Sequence, residues 1–178
     1  MKIVEGDILS LQSGILVHGC NCLGVMGAGI ARLIKDKWPG VYKAYRQVHE
    51  QQGLYLGDVV AVGRPEWARP HPGKNRSVPL HFTAPELPPE LVVANAMTQD
   101  GVRQEAGERV VDYDALSAAF ARIKLMARDT GLEVHFPLIG CGLAGGRWED
   151  VAERIEQALG PDVSKTLWVL PGTDISKL

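Results

Sequence analysis

Residues 14–30 read Gly-Ile-Leu-Val-His-Gly-Cys-Asn-Cys-Leu-Gly-Val-Met-Gly-Ala-Gly-Ile and join an apolar run to a glycine-rich turn. The run has the composition of a buried strand, and a helical pattern begins at Ile30. Glycine lets the backbone approach a ligand closely, and the first amides of a helix attract an anion. The spacing Gly24-x-x-Gly27-x-Gly29 matches neither the Rossmann nor the Walker pattern. From these residues alone, a phosphate site and a merely tight turn stay equal alternatives.

A second strand, glycine turn and helix pattern runs from Pro137 to Trp148. Two such loops at the ends of two strands can clasp one extended, multiply charged ligand such as a diphosphate. The alternative is that Gly145 and Gly146 only turn the chain. Trp148 opens an apolar helical repeat and is predicted to be core, while Arg147 is predicted to be solvated.

The rest of the chain alternates apolar segments with amphipathic ones. Strands are predicted at 2–5, 14–18, 58–62, 91–96, 133–137 and 166–170. Asp112 is a predicted N-cap and Gly131 lies just past the end of the same helix. Four helices are predicted from apolar positions at steps of three and four, namely Ile30, Leu33, Ile34 and Trp38; Val41, Tyr45 and Val48; Leu116, Phe120, Ile123 and Ala127; and Trp148, Val151, Ile155 and Leu159. This alternation predicts a layered α/β domain with binding loops at the carboxyl ends of its strands.

Composition favours one soluble domain over residues 1–178. The hydrophobic fraction is 46% and the charged fraction 22%, which excludes global disorder. The longest apolar runs are far shorter than a membrane helix, and the start lacks a signal-peptide core, so we expect a cytoplasmic protein, as a monomer. A formal charge of −2 argues against general electrostatic binding of nucleic acid but still allows local basic patches.

Residues 64–90 form a proline-rich, basic insertion. These residues include seven of the 11 prolines, so we expect a segment outside the alternation of strands and helices, with at most a short edge strand near 80–83. Before residue 80, its basic residues are Arg64, Arg69, His71, Lys74 and Arg76. A solvated insertion and a basic flap that touches a phosphate-bearing ligand are both open.

Cysteine usage predicts neither disulfides nor metal. Cys20, Cys22 and Cys141 make an odd number, and no paired Cys-x-x-Cys or His-x-x-x-His completes a zinc site. We expect no bound metal and no cofactor.

Three motifs in order carry a family resemblance: residues 4–9, Val-Glu-Gly-Asp-Ile-Leu; residues 18–31, from His18 to Ala31; and residues 136–143 with Trp148. They resemble the macrodomains, which bind ADP-ribose. The resemblance implies a three-layer α/β/α sandwich with a mixed, mostly parallel central sheet. It implies that Asp7, which otherwise would cap a turn, contacts the adenine amino group, and that Asn21 contacts the distal ribose. The full implied ligand-binding set is Asp7, Ile8, Asn21, Gly24, Val25, Met26, Gly27, Ala28, Gly29, Ile139, Gly140, Cys141, Gly142, Leu143, Ala144, Gly145 and Leu170.

The activity depends on the ionisable groups of the site. Terminal ADP-ribose glycohydrolases of the family use a lysine and an acid, where this chain has Gln99 and Ala144. Neither residue can form a Schiff base or move a proton, so that route is disfavoured. The chain more closely resembles the phosphatases acting on ADP-ribose 1″-phosphate, which carry a histidine three positions before the asparagine, as His18 does before Asn21.

His18 and Asn21 are therefore the predicted catalytic residues, with His18 activating water or protonating the leaving oxygen. The alternative is a histidine buried in the strand. Asp100, Glu105 and Asp112 are unranked candidate partners. Whether the chain is an enzyme stays open: it can also be a reader that binds ADP-ribose or ADP-ribosylated protein or nucleic acid without turnover, or a glycohydrolase.

Overall fold

The computed structural model describes residues 1–64, 82–102, 105 and 107–174. Most of the predicted basic insertion, including Arg69, His71, Lys74 and Arg76, lies outside the described residues. Within the described ranges, no helix combines the length and the apolar character needed to cross a bilayer.

The described residues form one mixed sheet of seven strands. They are β1 Lys2–Glu5, β2 Ser13–Asn21, β3 Val59–Gly63, β4 Phe82–Thr83, β5 Glu90–Gln99, β6 Val134–Phe136 and β7 Lys165–Val169. The spatial order is β1-β7-β6-β2-β5-β3-β4, and β3 with β5 is the one antiparallel pair among these strands. The predicted mixed, mostly parallel sheet is confirmed, and β4 forms the short edge strand expected near residues 80–83.

Four α-helices and one short 3₁₀ helix, Ile8–Ser10, complete the described elements: α1 Gly29–Lys37, α2 Pro39–Gln52, α3 Tyr113–Thr130 and α4 Trp148–Leu159. Asp112 caps α3 as predicted, because its carboxylate accepts a hydrogen bond from the Ala115 amide at 2.8 Å. Gly131 ends α3 in the left-handed conformation, with φ of 73°. Helix α4 opens with Glu149 and Asp150, whose charges suit the positive end of the helix dipole.

Alternating side chains of the central strands build a core on each face of the sheet. Ile15 and Val17 of β2 pack with α3 and α4, whereas Leu16 and Cys20 pack with α1 and α2. On the first face, Phe120 meets Phe136 edge to face with ring centroids 5.6 Å apart. The sandwich therefore has three layers, α/β/α, as expected.

Strands β2 and β5 are longer than predicted. Strand β2 continues to Asn21 and β5 to Gln99, past the apolar runs from which their ends were predicted. Both strands can include polar residues because the backbone N–H and C=O groups of these residues form hydrogen bonds with neighbouring strands. Strands β2 and β5 pair in parallel over this length, with a register shift between Cys20 and Asn21. Their ends therefore lie together at one edge of the sheet.

Candidate ligand-binding cleft

Five parallel strands end at one edge of the sheet, and most of the predicted site follows them. In the order β1, β7, β6, β2 and β5, the following segments are 6–11, 170–173, 137–147, 22–28 and 100–102. We name residues 22–28 the first glycine loop and residues 138–146 the second. A Cβ atom placed on Gly29, where the first loop enters α1, would lie 3.5 Å from Leu143 Cδ1 of the second. The two loops therefore adjoin at this edge of the sheet, and we name the surface that they border the cleft.

Asn21 organises the first glycine loop. Its side-chain oxygen accepts hydrogen bonds from the amides of Leu23 at 3.0 Å and Val25 at 3.3 Å. Its side-chain nitrogen donates to the Val25 carbonyl at 2.8 Å. An amide oxygen has two lone pairs, so this oxygen has no capacity left for a ribose hydroxyl. Asn21 can therefore offer a ligand only its second N–H.

Side chains of helix α2 contact the first glycine loop and hold it in place. The Tyr45 hydroxyl lies 2.7 Å from the Asn21 carbonyl oxygen and 2.9 Å from the Asn21 side-chain oxygen. Tyr45 is fully buried, and this burial raises the pKa of its hydroxyl above its usual value. Arg46 donates to the Gly24 carbonyl at 3.4 Å. A Cβ on Gly24, which has φ of 73°, would lie 2.9 Å from the ring of His49, so this position requires glycine.

Sequence reasoning assigned Tyr45 to an apolar helix face and missed its contact with the loop. The available signal was chemical, because a buried tyrosine usually finds a partner for its hydroxyl. The identity of that partner could not be read from the chain, since Asn21 lies 24 residues away.

Main-chain contacts organise the second glycine loop. The Gly146 amide donates to the Gly140 carbonyl at 2.8 Å, and the Ala144 carbonyl accepts from Val110 at 3.0 Å and Val111 at 3.2 Å. A Cβ on Gly145, with φ of 73°, would lie 2.5 Å from the Glu108 carbonyl oxygen. Gly145 and Gly146 thus allow one backbone to pack on another, in addition to turning the chain.

Both loops present unpaired amides. Within the described part of the chain, the backbone N–H groups of Met26, Gly27 and Gly29 have no acceptor, and the same holds for Gly142–Ala144. Ala28, the N-cap residue of α1, makes no side-chain capping hydrogen bond, which leaves the first amides of the helix available. Such amides attract a negatively charged group. The side chains of Met26, Ile139 and Ala144 point into the protein and are buried, so these residues offer a ligand only their backbone.

Asp7, Ile8 and Leu170 lie at the far end of the cleft, where β1 and β7 pair. One Asp7 carboxylate oxygen accepts from the Leu9 amide at 2.9 Å, which is the turn-capping use, and the other oxygen remains. Ile8 is buried, whereas 69% of Leu170 is exposed. Glu5 accepts from the Gly172 amide at 3.1 Å and fixes the turn that carries Leu170.

His18 has the environment of the alternative, a histidine buried within the strand. His18 lies three residues before the end of β2 on the face shared with Leu16 and Cys20, and it is 0% exposed. Its Nε2 lies 2.7 Å from Asn95 Oδ1, and Asn95 in turn donates to the Val60 carbonyl at 2.9 Å. Burial lowers the pKa of His18 to about 4, only partly offset by the Asn95 hydrogen bond. A neutral, enclosed imidazole cannot exchange a proton with a ligand in the cleft, so the catalytic prediction lacks structural support.

Gln99 lies opposite Asn21 at the end of β5. Its side chain donates to the Gly101 carbonyl at 2.7 Å. Among the three candidate acids, Asp112 caps α3 and Glu105 lies exposed, its amide bound to Glu108 at 3.3 Å. Asp100 follows Gln99 directly and lines a cavity at this strand end.

The cysteines are free, and burial raises the pKa of the Cys22 and Cys141 thiols to about 11 in each case. Both are therefore protonated at neutral pH and poor nucleophiles. Over the described residues, no group of three or more His, Cys, Asp and Glu side chains could hold a metal ion.

The two residues flanking the start of α4 have the predicted environments. Trp148 is half-buried against the core on the α3 and α4 face. Arg147 is exposed, with Glu149 at 3.6 Å and Asp150 at 3.7 Å, which agrees with a solvated side chain.

Two curated relatives carry enzyme names. The ADP-ribose 1″-phosphate phosphatase of Meyerozyma guilliermondii is 24% identical over 159 residues, which cover 84% of this chain and 89% of the relative. The DNA ADP-ribosyl glycohydrolase of Thermus aquaticus is 27% identical over 170 residues, which cover 95% of this chain and 40% of the relative. The chain thus spans about two-fifths of the length of that glycohydrolase. No family model matches the chain.

Solved structures share the fold. A macrodomain protein from Streptomyces coelicolor has a TM-score of 0.67 at 26% identity, over 94% of this chain and 97% of that one. Thermosipho africanus DarTG, solved in complex with ADP-ribose, has a TM-score of 0.67 at 21% identity, over 95% of this chain and 41% of that one.

Fold and cleft together define a three-layer α/β/α domain with an anion-attracting edge between two glycine loops. The chain has the fold of the macrodomains and is similar in sequence, over most of its length, to the relatives described above.

Proposed function

We propose that the cleft binds ADP-ribose, with the pyrophosphate between the two glycine loops. The observation that carries this proposal is the opposition of Gly29 and Leu143, with unpaired amides on both loops. The complex of Thermosipho africanus DarTG with ADP-ribose, on the same fold, supports it.

The two ends of the cleft suit the two ends of this nucleotide. At one end, exposed Leu170 offers an apolar surface to adenine, and the remaining oxygen of Asp7 can accept from its amino group. At the other end, the remaining N–H of Asn21 can donate to a ribose hydroxyl. The chain has a formal charge of −2, so amides and the α1 dipole, rather than net charge, must stabilise the pyrophosphate.

Hydrolysis of ADP-ribose 1″-phosphate to ADP-ribose and phosphate is the activity that we propose for this cleft. The phosphatase of Meyerozyma guilliermondii, matched over 89% of its length, supports this choice. Because His18 is enclosed, Asp100 replaces it as the general base: no hydrogen bond or ion pair engages its carboxylate in the described part of the chain. Asp100 would accept a proton from the water that attacks phosphorus, while the bond from phosphorus to the 1″ oxygen breaks and this oxygen leaves on ADP-ribose with a proton taken from solvent.

A reader without turnover is the second candidate, and the same burial of His18 favours it. Gln99 and Ala144 also supply no ionisable group at the lysine and acid positions. In this case the ligand is ADP-ribose on a modified protein or nucleic acid. Those partners, the monomeric state and the cytoplasmic location stay predictions.

Calorimetry with ADP-ribose and a phosphate-release assay on ADP-ribose 1″-phosphate test both candidates. We expect one-to-one binding and phosphate release that Asp100→Asn lowers at least 100-fold while ADP-ribose affinity stays within about threefold. Asp36→Asn, on the exposed side of α1, is the control and should change neither quantity.

Each other outcome selects a different conclusion. Binding without phosphate release favours the reader. Release of ADP-ribose from modified DNA or protein favours a glycohydrolase. Absence of ADP-ribose binding contradicts the proposal as a whole.

A further inference from the structure

A cavity of about 450 Å³ opens at the end of β5, beyond the Asn21 end of the cleft. Its walls include Asp100, Arg109, Tyr113 and Arg154. Its volume is within the range of small-molecule sites and exceeds the space that one phosphate group needs.

Hydrogen bonds attach this cavity to both glycine loops. The Cys22 amide of the first loop donates to the Asp100 carbonyl at 3.1 Å. The Val110 amide beside Arg109 donates to the Ala144 carbonyl of the second loop at 3.0 Å. Because Gln99 also pairs with Asn21 and bridges to Val111, the cavity adjoins the end of the cleft assigned to the distal ribose.

The described lining of the cavity carries two arginines and three carboxylates, and Arg109 is the arginine without an ion-pair partner among the described residues. Arg154 pairs with Asp114 at 3.0 Å, and Asp112 is engaged as the cap of α3. The Arg109 guanidinium lies 4.8 Å from the centre of the Tyr113 ring, and no carboxylate of the described residues is within ion-pair distance of it. The aromatic face holds Arg109 in place without neutralising its charge.

We propose that this cavity is the subsite for a phosphate carried by the distal ribose, with Arg109 as the residue that binds it. The inference rests on the proposed function of the cleft and adds a specificity-determining residue to it. A guanidinium presents a planar pair of N–H donors that match two phosphate oxygens, and its charge offsets the repulsion between Asp100 and the phosphate. Arg109 therefore distinguishes the 1″-phosphate ester from ADP-ribose.

Calorimetry with two ligands tests this subsite: ADP-ribose, and the phosphonate analogue of ADP-ribose 1″-phosphate, which cannot be hydrolysed. For Arg109→Ala we expect at least a tenfold loss of affinity for the phosphonate and a change within twofold for ADP-ribose. Arg109→Lys should recover part of the lost affinity, because lysine restores the positive charge without the planar pair of N–H donors. Arg32→Ala, an exposed arginine on α1, is the matched control and should affect neither ligand.

Equal losses for both ligands, or no loss for either, would overturn the subsite. A wild-type protein that binds neither ligand would instead overturn the proposed function. Thermal unfolding of each variant checks folding, which the exposed position of Arg109 should leave unchanged.

Discussion

The two glycine loops reach the same edge of the sheet by different means. Side chains hold the first loop, through Asn21 and the Tyr45 hydroxyl of α2. Main-chain contacts hold the second, where Ala144 bonds Val110 and Gly145 packs on the Glu108 carbonyl. The first loop should therefore be sensitive to the loss of a side-chain group. The second should be sensitive to the addition of one.

Gly145→Ala should have the largest effect. The new Cβ would lie 2.5 Å from the Glu108 carbonyl oxygen, at a positive φ that alanine resists. We expect the free energy of unfolding to fall by about 3 kcal/mol and ADP-ribose binding to be lost. Urea unfolding and calorimetry measure the two effects.

Gly142→Ala is the matched control within the same loop, since no heavy atom lies within 4 Å of a Cβ at that position. Its free energy of unfolding should stay within about 0.5 kcal/mol of the wild type. Equal destabilisation by both substitutions would show that the second loop is not held by the close packing at Gly145.

His18→Gln should change the pH dependence of stability, because His18 lies below the first loop in the strand that carries it. Its folded-state pKa of about 4 lies below the unfolded value near 6.5, so the unfolded chain binds the proton first as pH falls. His18 should therefore cost the wild type about 2 kcal/mol of stability between pH 7 and pH 5.

The variant should lose this part of the pH dependence, as measured by urea unfolding at the two pH values. His135, whose pKa burial also lowers, is present in both proteins and cancels in the comparison. The same pH dependence in both proteins would mean that His18 is not enclosed as described.

Tyr45→Phe should have the smallest effect on stability and act mainly on the cleft. It removes the hydroxyl that contacts Asn21 and should lower the free energy of unfolding by about 1 kcal/mol. Because the first loop then loses a support, we expect ADP-ribose affinity to fall about fivefold and the Leu23 and Val25 amide resonances to shift.

Tyr42→Phe is the control on the same helix, with its ring centroid 6.4 Å from that of Tyr45. It should change neither affinity nor those resonances. A loss of stability in Tyr45→Phe without a change in affinity would assign Tyr45 to the core alone.

The sequence predicted the parts of this molecule that depend on local patterns. Apolar periodicity located the helices, and Asp112 and Gly131 marked both ends of α3 correctly. The glycine loops were also predicted, because strand, turn and helix follow each other directly in the chain. Once the order of the parallel strands is known, it follows that the two loops lie together at one edge of the sheet.

The misassigned and missed residues depend on contacts far apart in the chain. His18 was assigned from its spacing to Asn21, but the face of β2 on which it lies and its bond to Asn95, 77 residues away, decide its environment. Similarly, the role of Arg109 is inferred only from the cavity beside β5, which the sequence alone does not reveal. Local sequence patterns carry no information on such pairings.

If backbone amides of both loops hold one pyrophosphate, an amide-detected NMR titration with ADP-ribose will report both loops at once. We expect saturable shifts that are largest for Met26, Gly27 and Gly29 and for Gly142–Ala144, with both sets following one binding curve. Shifts confined to one loop, or no shifts at millimolar ADP-ribose, would contradict it.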